Sequence, residues 1–465
     1  MCYTSPPNFG RNVNLVNAVE FRSALSLAAV YMSRMLGLFM VMPVLAVSAV
    51  SLEGFSPLLL GIAIGGYGLT QAILQIPMGI LSDRYGRKLV IVAGLIMFGI
   101  GSLIASAADS MLWLIVGRLL QGTGAIAGAV MALAADTTRV EQRTKVMAII
   151  GISIGLSFYV AIILGPLIGD KWGLSGLFGF SAITAILSIL LVLFAVPSSS
   201  NIPTTSEALP NRSDVKALLG HPQLMRLNVS VALLHMLITV IFVLVPALLI
   251  ALSEPLAEHW HTYGAVFAIS LVLLGGLMAI ARRIKIAVGI QFSIILILVA
   301  FVVLLVAPLS YVALFAALTL FFTGFNFLEA RFPALVSTIA PAGVRGSAMG
   351  IYASFQFFGA FLGGVASGFV ISWFSNEVLY TVIIVICIVW LFLFLRFHNG
   401  QSQTKRVTLT LNQSLVSADD VIEALSSLTG INDINVDIRN RVVHLKVVPE
   451  FDVTLAQNTL TKATN

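Results

Sequence analysis

The sequence predicts an all-α membrane protein of two six-helix bundles, followed by a small α+β domain in βαββα order. Three observations predict it: an extreme apolar composition, evenly spaced apolar runs with a polar break in the middle, and a change of texture near the C-terminal end. Hydrophobic residues make up 58% of the 465 positions and charged residues 10%, with a mean hydropathy of +1.01. A soluble domain carries about 25% charged residues, so much of this surface must face lipid. A chain of this length has room for a dozen spans of about 20 residues each.

Apolar runs place helices near Arg22–Ser48, Leu58–Leu81, Leu89–Ala108, Met111–Ala135, Lys145–Gly169 and Leu174–Val196. A second set follows near Leu227–Leu252, Tyr263–Ala281, Ile286–Ala307, Ser310–Ile339, Ser347–Phe374 and Val378–Phe397. Between the sets, Pro197–Pro222 is rich in Ser, Pro, Thr and Asn and reads as a linker. The division is therefore 1–196 for one bundle, 197–222 for a cytoplasmic linker and 223–398 for the second bundle. A break in the middle of an even number of spans fits the parallel-repeat plan of some transporters. The first twenty residues are polar and mixed, and the apolar run after them is long enough to span, so no cleavable signal is expected.

The net charge of +6 would suggest nucleic acid until the bases are placed. Alternate loops hold Arg84, Arg87 and Lys88; Arg139, Arg143 and Lys145; Arg212, Lys216 and Arg226; Arg282, Arg283 and Lys285; and Arg345. The opposite loops hold Lys171 and the acids Glu53, Asp109, Glu254, Glu258 and Glu377. Basic loops stay in the cytoplasm, so both termini are expected inside, and the charge is a topology signal rather than a nucleic-acid footprint. Cys2 and Cys387 are the two cysteines, too few for a disulfide framework or a multi-cysteine metal site.

Residues 404–465 read as a cytoplasmic domain. Val407, Leu409 and Leu411 alternate with polar residues, as do Ile434, Val436 and Ile438, and Val443, Leu445 and Val447, the half-buried strand pattern. Ala418–Leu428 has helical spacing and ends near Gly430, a C-cap candidate; Arg439-Asn440 turns, and Phe451–Lys462 is again helical. The order is that of the ferredoxin-like kind. The loop Asn412–Ser417 has neither cysteine nor histidine, so soft-metal binding by a Cys-x-x-Cys route is excluded. Ligand sensing, self-association through a sheet edge and plain stabilisation all stay open.

One loop concentrates the charge. Gly79-Ile-Leu-Ser-Asp83-Arg84-Tyr-Gly86-Arg87-Lys88 packs one acid, three bases and a tight glycine turn between two apolar runs. It resembles the signature loop between the second and third helices of the major facilitator superfamily. Arg118-x-x-Gln121-Gly122-x-Gly124 resembles that superfamily's fourth-helix motif, and Gly151, Gly155 and Gly165-Pro166-x-x-Gly169 its antiporter-associated fifth-helix motif. The second half carries only a degraded copy of the loop, Arg282-Arg283-Ile-Lys285. Twelve helices with a ferredoxin-like tail look like the YajR-type branch. The resemblance implies the major facilitator fold, an inner-membrane location and transport by alternating access. It also implies a latch that favours the outward-facing state: Asp83 against the start of the eleventh span at Arg345-Gly346-Ser347, and Arg87 reaching Asp136. A carboxylate gains about 0.3–1 kcal/mol beside a helix N-terminus, which gives the latch its physical rationale. The bland alternative is that these charges only anchor topology.

Few ionisable groups lie inside the spans: Arg34, Arg118, His235, and Glu329 with Arg331. A charge at mid-bilayer costs at least about 2.5–3.5 kcal/mol, so each should face a wet cavity or a partner. Arg34 reads as a cavity-lining or a hydrogen-bonding group, and Arg118, with Gln121 beside it, is linked by the resemblance to proton movement. His235 titrates near neutral pH in its free form and reads either as a proton site or as a strut. Glu329 is either a proton carrier or the partner of Arg331. The deep groups are basic or neutral (Arg34, Arg118, His235, Gln71, Gln75, Gln121 and Asn326), so the cargo should be anionic or neutral and amphipathic rather than a lipophilic cation. Gly61-x-x-x-Gly65, Gly124-x-x-x-Gly128 and Gly359-x-x-x-Gly363 are small-residue ridges for close helix approach, and Pro43, Pro77, Pro166, Pro246 and Pro333 mark kinks.

The leading function is proton-coupled export of a small molecule, with protons, cargo and the bilayer as partners and no cofactor or metal. The alternatives are a metabolite uptake symporter or uniporter, and a membrane sensor signalling through the tail. An enzyme is not expected, since no nucleophile–base constellation, phosphate loop or metal cluster stands outside the spans.

Overall fold

A computed structural model of the chain describes residues 17–139, 142–196, 212–341, 344–394, 405–411, 418–437, 442–448 and 451–463. The N-terminal half comprises α1 (Ala18–Ser48), α2 (Pro57–Tyr85), α3 (Arg87–Ser106), α4 (Met111–Thr123), α5 (Ala127–Asp136) and α6 (Arg143–Leu190). After α7 (Arg212–Gly220) come α8 (Pro222–Ala251), α9 (His259–Ala281), α10 (Ile286–Val306), α11 (Tyr311–Ile339), α12 (Arg345–Trp373) and α13 (Asn376–Phe394). Most of the sequence-read linker lies outside the described residues, but its last part forms α7.

Start signals in the sequence explain several boundaries. Asn17 and Glu20 form a reciprocal capping box at α1, while Ser56 caps α2 and Pro57 takes its first turn, where no N–H is needed. Between α2 and α3, Gly86 sits at φ +98°, a conformation that disfavours side chains with a Cβ. Two helices are thereby separated by a single residue.

Among the described residues, eleven helices are long and apolar enough to cross a membrane, yet they make twelve spans. At about 1.5 Å per residue, the 48 residues of α6 would measure about 72 Å as one straight rod, more than twice the ~30 Å hydrocarbon core. Gly173, at φ 60° and ψ −160°, breaks it. A Cβ on Gly165 would lie 2.5 Å from the Met40 carbonyl, and one on Gly37 would lie 2.9 Å from Ser181 Oγ. Residues on both sides of Gly173 thus meet the same short stretch of α1, which requires the chain to double back. The fifth and sixth spans are an antiparallel pair, as the apolar runs predict.

The fourth span corrects the sequence reading. In place of one helix over Met111–Ala135, the chain leaves the helix at Gly124 and resumes at Ala127. Gly124 lies so close to α3 that a Cβ would collide with the Gly94 carbonyl. Backbone proximity to α3 accompanies the interruption of the ladder.

The halves meet along α2–α12, α1–α8 and α6–α9. The end of the molecule that carries Arg84, Arg87, Arg139, Arg282 and Arg345 is the basic face, and the other, with Glu53 and Asp109, the acidic face. On α2, Gly61, Gly65 and Gly68 press on the α12 backbone at Gly364, Phe361 and Phe357. Gly359 and Gly363 of the same α12 press on Ala232 and Met236 of α8. Between α6 and α9, Phe158 and Tyr159 meet Phe267 at 5.7 and 5.1 Å between ring centroids. All of these contacts lie at mid-depth or toward the acidic face. Toward the basic face the α6–α9 seam has open space at its glycines. Continuing the antiparallel register of Phe158 and Phe267 puts Gly151 level with residue 274, yet a Cβ on Gly151, Gly155, Gly275 or Gly276 would meet nothing within 4 Å. The molecule is therefore closed toward the acidic face, and toward the basic face it is the α6–α9 seam that is parted.

The tail comprises β1 (Lys405–Thr410), α14 (Ala418–Ser426), β2 (Ile431–Asp437), β3 (Val442–Val447) and α15 (Val453–Ala463). The sheet is antiparallel in the order β1-β3-β2, so β3 fills the gap left by a split β-α-β crossover. Leu409, Val421, Leu425, Val443 and Leu445 form its small core. Helix α14 stops at Ser426, short of the predicted Leu428, and Gly430 at φ +98° is a turn into β2 rather than a helix cap. The loop 412–417, Ile438 and the turn at Arg439-Asn440 lie outside the described residues. Lys446 donates to the Thr338 carbonyl at 2.7 Å, an acceptor in the last turn of α11, where cations are favoured.

Candidate functional site

Three polar clusters interrupt the apolar body. The first is the loop at Gly86. Arg87 pairs with Asp83 one turn back on α2, with Asp136 at the end of α5 at 3.2 Å and with Ser82 Oγ at 2.8 Å. Lys88 donates to the Val196 carbonyl at 2.5 Å, tying the loop to the end of the sixth span. Arg84 lies over the Tyr85 ring at 5.5 Å, and a Cβ on Gly79 would meet nothing within 4 Å. The structure brings Arg87 to Asp136 but does not bring Asp83 to Ser347. The register Gly61–Gly364, Gly65–Phe361 and Gly68–Phe357 still holds at Ile76, which lies 4.0 Å from a Cβ on Gly350. Beyond it, among the described residues, no ion pair joins Asp83 to the first turn of α12.

Arg87 therefore holds more than Asp83 does, and the two should differ in stability. Arg87→Ala leaves Asp136 without its partner and should cost about 1 kcal/mol, the upper range for a partly exposed pair. Asp83→Asn should cost a fraction of that. Thermal unfolding of both variants in one detergent checks the order; an equal loss would contradict it.

The second cluster lies deep in the N-terminal half. Arg118 is fully buried and donates to the Ala63 carbonyl at 3.1 Å, the Ile64 carbonyl at 3.4 Å and Gln121 Oε1 at 2.9 Å. Gln121 in turn donates to Ser102 Oγ at 2.8 Å, which donates to the Phe98 carbonyl at 2.7 Å. Arg34, 2% exposed, donates from Nη2 to Gln71 Oε1 at 2.9 Å. Both guanidinium groups lie over the Tyr67 ring, at 5.8 Å for Arg34 and 5.2 Å for Arg118. Each such contact is worth about 0.5–2 kcal/mol, less than the several kcal/mol that an unpaired buried charge costs. No described carboxylate touches either arginine.

The third cluster lies in the C-terminal half. His235 on α8 places Nδ1 3.2 Å from the Val231 carbonyl, a contact that needs the proton on Nδ1. Its Nε2 lies 2.7 Å from Gln356 Nε2 on α12 and 3.8 Å from Glu329 Oε2 on α11. Gln356 also donates to Glu329 Oε1 at 3.5 Å. The side chain of His235 is 14% exposed and that of Glu329 36%, although Glu329 Oε2, the oxygen nearer His235, is itself buried. Glu329 joins His235 and not Arg331, whose guanidinium lies over Phe327 at 5.5 Å. Between the halves, Tyr159 donates to Asn326 Oδ1 at 3.5 Å, and within the C-terminal half Asn326 donates to Ser270 Oγ at 3.5 Å.

Sequence reasoning missed Gln356, Tyr67 and Glu20. Glu20 receives Arg139 Nε at 2.8 Å and Nη2 at 3.0 Å, fastening the start of α1 to the end of the fourth span. Polarity inside an apolar run would have found Gln356; Tyr67 has no such signal. Among the described residues, no cluster of His, Cys, Asp and Glu is placed to hold a metal ion.

The model of the Major Facilitator Superfamily matches residues 27–364. The chain belongs to this superfamily of membrane transporters. It is 43% identical to the inner membrane transport protein YajR of Escherichia coli K12, over 80% of this chain and 82% of that one. A shorter match, 32% identical over 30% of this chain and 35% of the other, is to the class B tetracycline resistance protein of Escherichia coli. Among solved structures, a point mutant of the nucleoside transporter NupG superposes with a TM-score of 0.65 at 14% identity, covering 80% of this chain and 98% of its own. That last likeness shows the fold alone. The chain is a multi-pass membrane protein and not an enzyme.

Proposed function

We propose that the protein is a proton-coupled exporter of small anionic or neutral amphipathic compounds, working by alternating access in the inner membrane with both termini cytoplasmic. The observation that carries this reading is the junction of His235, Gln356 and Glu329. It sets an ionisable pair, 3.8 Å apart, at the junction of three helices of one half. Protonation of Glu329 would weaken the hydrogen bond its carboxylate accepts from Gln356 and loosen α11 from α12. In the parted conformation the basic face is the cytoplasmic face, so the molecule is inward-facing. The separation of Asp83 from Ser347 fits a latch that forms only in the outward-facing state. Export rather than uptake is favoured by the fifth-helix glycines and by the similarity to a resistance protein. Arg34 and Arg118, buried without a described acid beside them, favour anionic or neutral cargo.

The test uses protein in proteoliposomes loaded with a pH-sensitive dye, an imposed pH gradient, and pools of anionic, neutral and cationic compounds added in turn. Proton movement triggered by the anionic or neutral pool is the expected result. Silence from every pool, or a response to cations alone, would overturn the proposal. In the same liposomes, Asp83→Asn should slow flux by destabilising the outward-facing state; unchanged flux and an unchanged inward/outward ratio would remove the latch.

A further inference from the structure

The buried cluster around Arg34 is short of one negative charge and of several hydrogen-bond acceptors. Five of its polar atoms are buried without a partner: Arg34 Nε and Nη1, Tyr67 Oη, Gln71 Nε2 and Gln75 Oε1. The four residues are between 0% and 5% exposed, so bulk water does not satisfy them. Unpaired buried groups of this kind are rare and call for an explanation. Four of the five atoms are donors. Trapped water could supply acceptors but not charge, and a buried cation is destabilising unless it is paired.

The two arginines are not equivalent. All three nitrogens of Arg118 are engaged, on two backbone carbonyls and Gln121, so it is held as a strut. Arg34 commits one nitrogen, to Gln71, and leaves two free. A carboxylate offers about four lone-pair sites on two oxygens, which matches the four unpartnered donors. A phosphate brings more oxygens and more charge than this set can satisfy. The Phe357 ring of α12 meets Tyr67 at 6.4 Å, so an apolar group attached to the carboxylate would find an aromatic wall contributed by the other half.

We infer that Arg34, Tyr67 and Gln71 form a carboxylate-recognition site, and that the cargo is an amphipathic monocarboxylate whose apolar body extends toward Phe357. That the carboxylate is cargo rests on the transport function proposed above; that it binds here does not. Because Phe357 lies on the opposite half from Arg34, such a ligand would touch both halves at once. Ligand contact would then be sensitive to the closure between α2 and α12.

The test is binding to the purified full-length protein, read by calorimetry and by thermal shift. The probes are 4-phenylbutyrate, its neutral amide, the cation 4-phenylbutylamine, and sodium chloride at matched sodium concentration. The carboxylate should bind at least about tenfold tighter than the amide, about 1.4 kcal/mol, and the amine should not bind. Arg34→Gln should abolish that preference and raise the melting temperature of the ligand-free protein by removing an unpaired buried charge. A purely structural arginine would lower it. If Arg34→Gln does not fold, Arg34→Lys decides: it keeps the charge but loses the fork, and should narrow the preference for the carboxylate over the amide. Tyr67→Phe should weaken the carboxylate several-fold.

Equal binding of carboxylate and amide, no saturable carboxylate binding, or a preference unaltered in the Arg34 variants would overturn the site. Equal stabilisation by chloride would reassign it to a small inorganic anion and overturn the cargo class. Carboxylate binding without proton-coupled flux would sink the transport reading and leave the site. Flux without carboxylate preference would do the reverse.

Discussion

Glu329→Gln should leave the protein folded and abolish proton-driven flux, to the level of liposomes without protein. The substitution is nearly isosteric, and an amide can keep a hydrogen bond with Gln356, which now lies 3.5 Å from Glu329 Oε1. What it removes is the ability to change charge. The side chain of Glu329 is 36% exposed against 14% for His235, so the charge change is assigned to Glu329. Cargo-for-cargo exchange, which moves no net proton, should persist in the variant. This separates a coupling defect from a damaged binding site. His235→Gln should show a milder loss, because Glu329 keeps its carboxyl group. The measurement is dye-reported proton flux alongside isotope exchange in the same vesicles. Full proton-driven flux in both variants would remove the pair from the mechanism. Loss of exchange together with net flux would mean that Glu329 holds cargo.

Most of the fold was legible because the bilayer simplifies the code. A span needs a long apolar run, and loops reveal themselves by charge and by residues such as Gly86. Twelve runs were therefore visible even where the chain forms one element, α6, across two of them. What was not legible has a common physical origin in backbone proximity. The break at Gly124 follows from the approach of α3, a tertiary fact that no local pattern encodes. Of the candidate site, the ionisable members were found because charge in a span is costly, but their partners were not. Glu329 could be matched with Arg331 by spacing alone, since the two are close in sequence. The partner it takes, His235, comes from another helix. Tyr67 carries no warning at all, because a tyrosine in a membrane helix is ordinary; only its position over two guanidinium groups makes it part of a site.

The glycines of the two seams should shift the conformational balance in opposite directions, and this is the other large effect expected. In the present conformation, a Cβ on Gly61 would collide with the Gly364 carbonyl, a backbone atom that cannot swing aside. Gly61→Val should therefore penalise closure toward the acidic face by about 1–3 kcal/mol, the cost of overpacking. At about 1.4 kcal/mol per tenfold, that moves the ratio of the two states by roughly one to two orders of magnitude. Gly151 sits on the other seam and has open space around it here, so Gly151→Val costs this state nothing through contact. If the continued register with α9 is right, the valine meets residues near 274 once the basic face closes, and the penalty falls on that state instead. Distances between spin labels placed on the loops of each face would report the two populations. Gly61→Val should widen the acidic face and Gly151→Val should hold the basic face open, and both should lose turnover because the cycle needs both states. Shifts of the same sign in the two variants would contradict the rocking of rigid halves about a central seam. If neither variant shifted the balance, these glycines would be packing details rather than the surfaces on which the halves alternate.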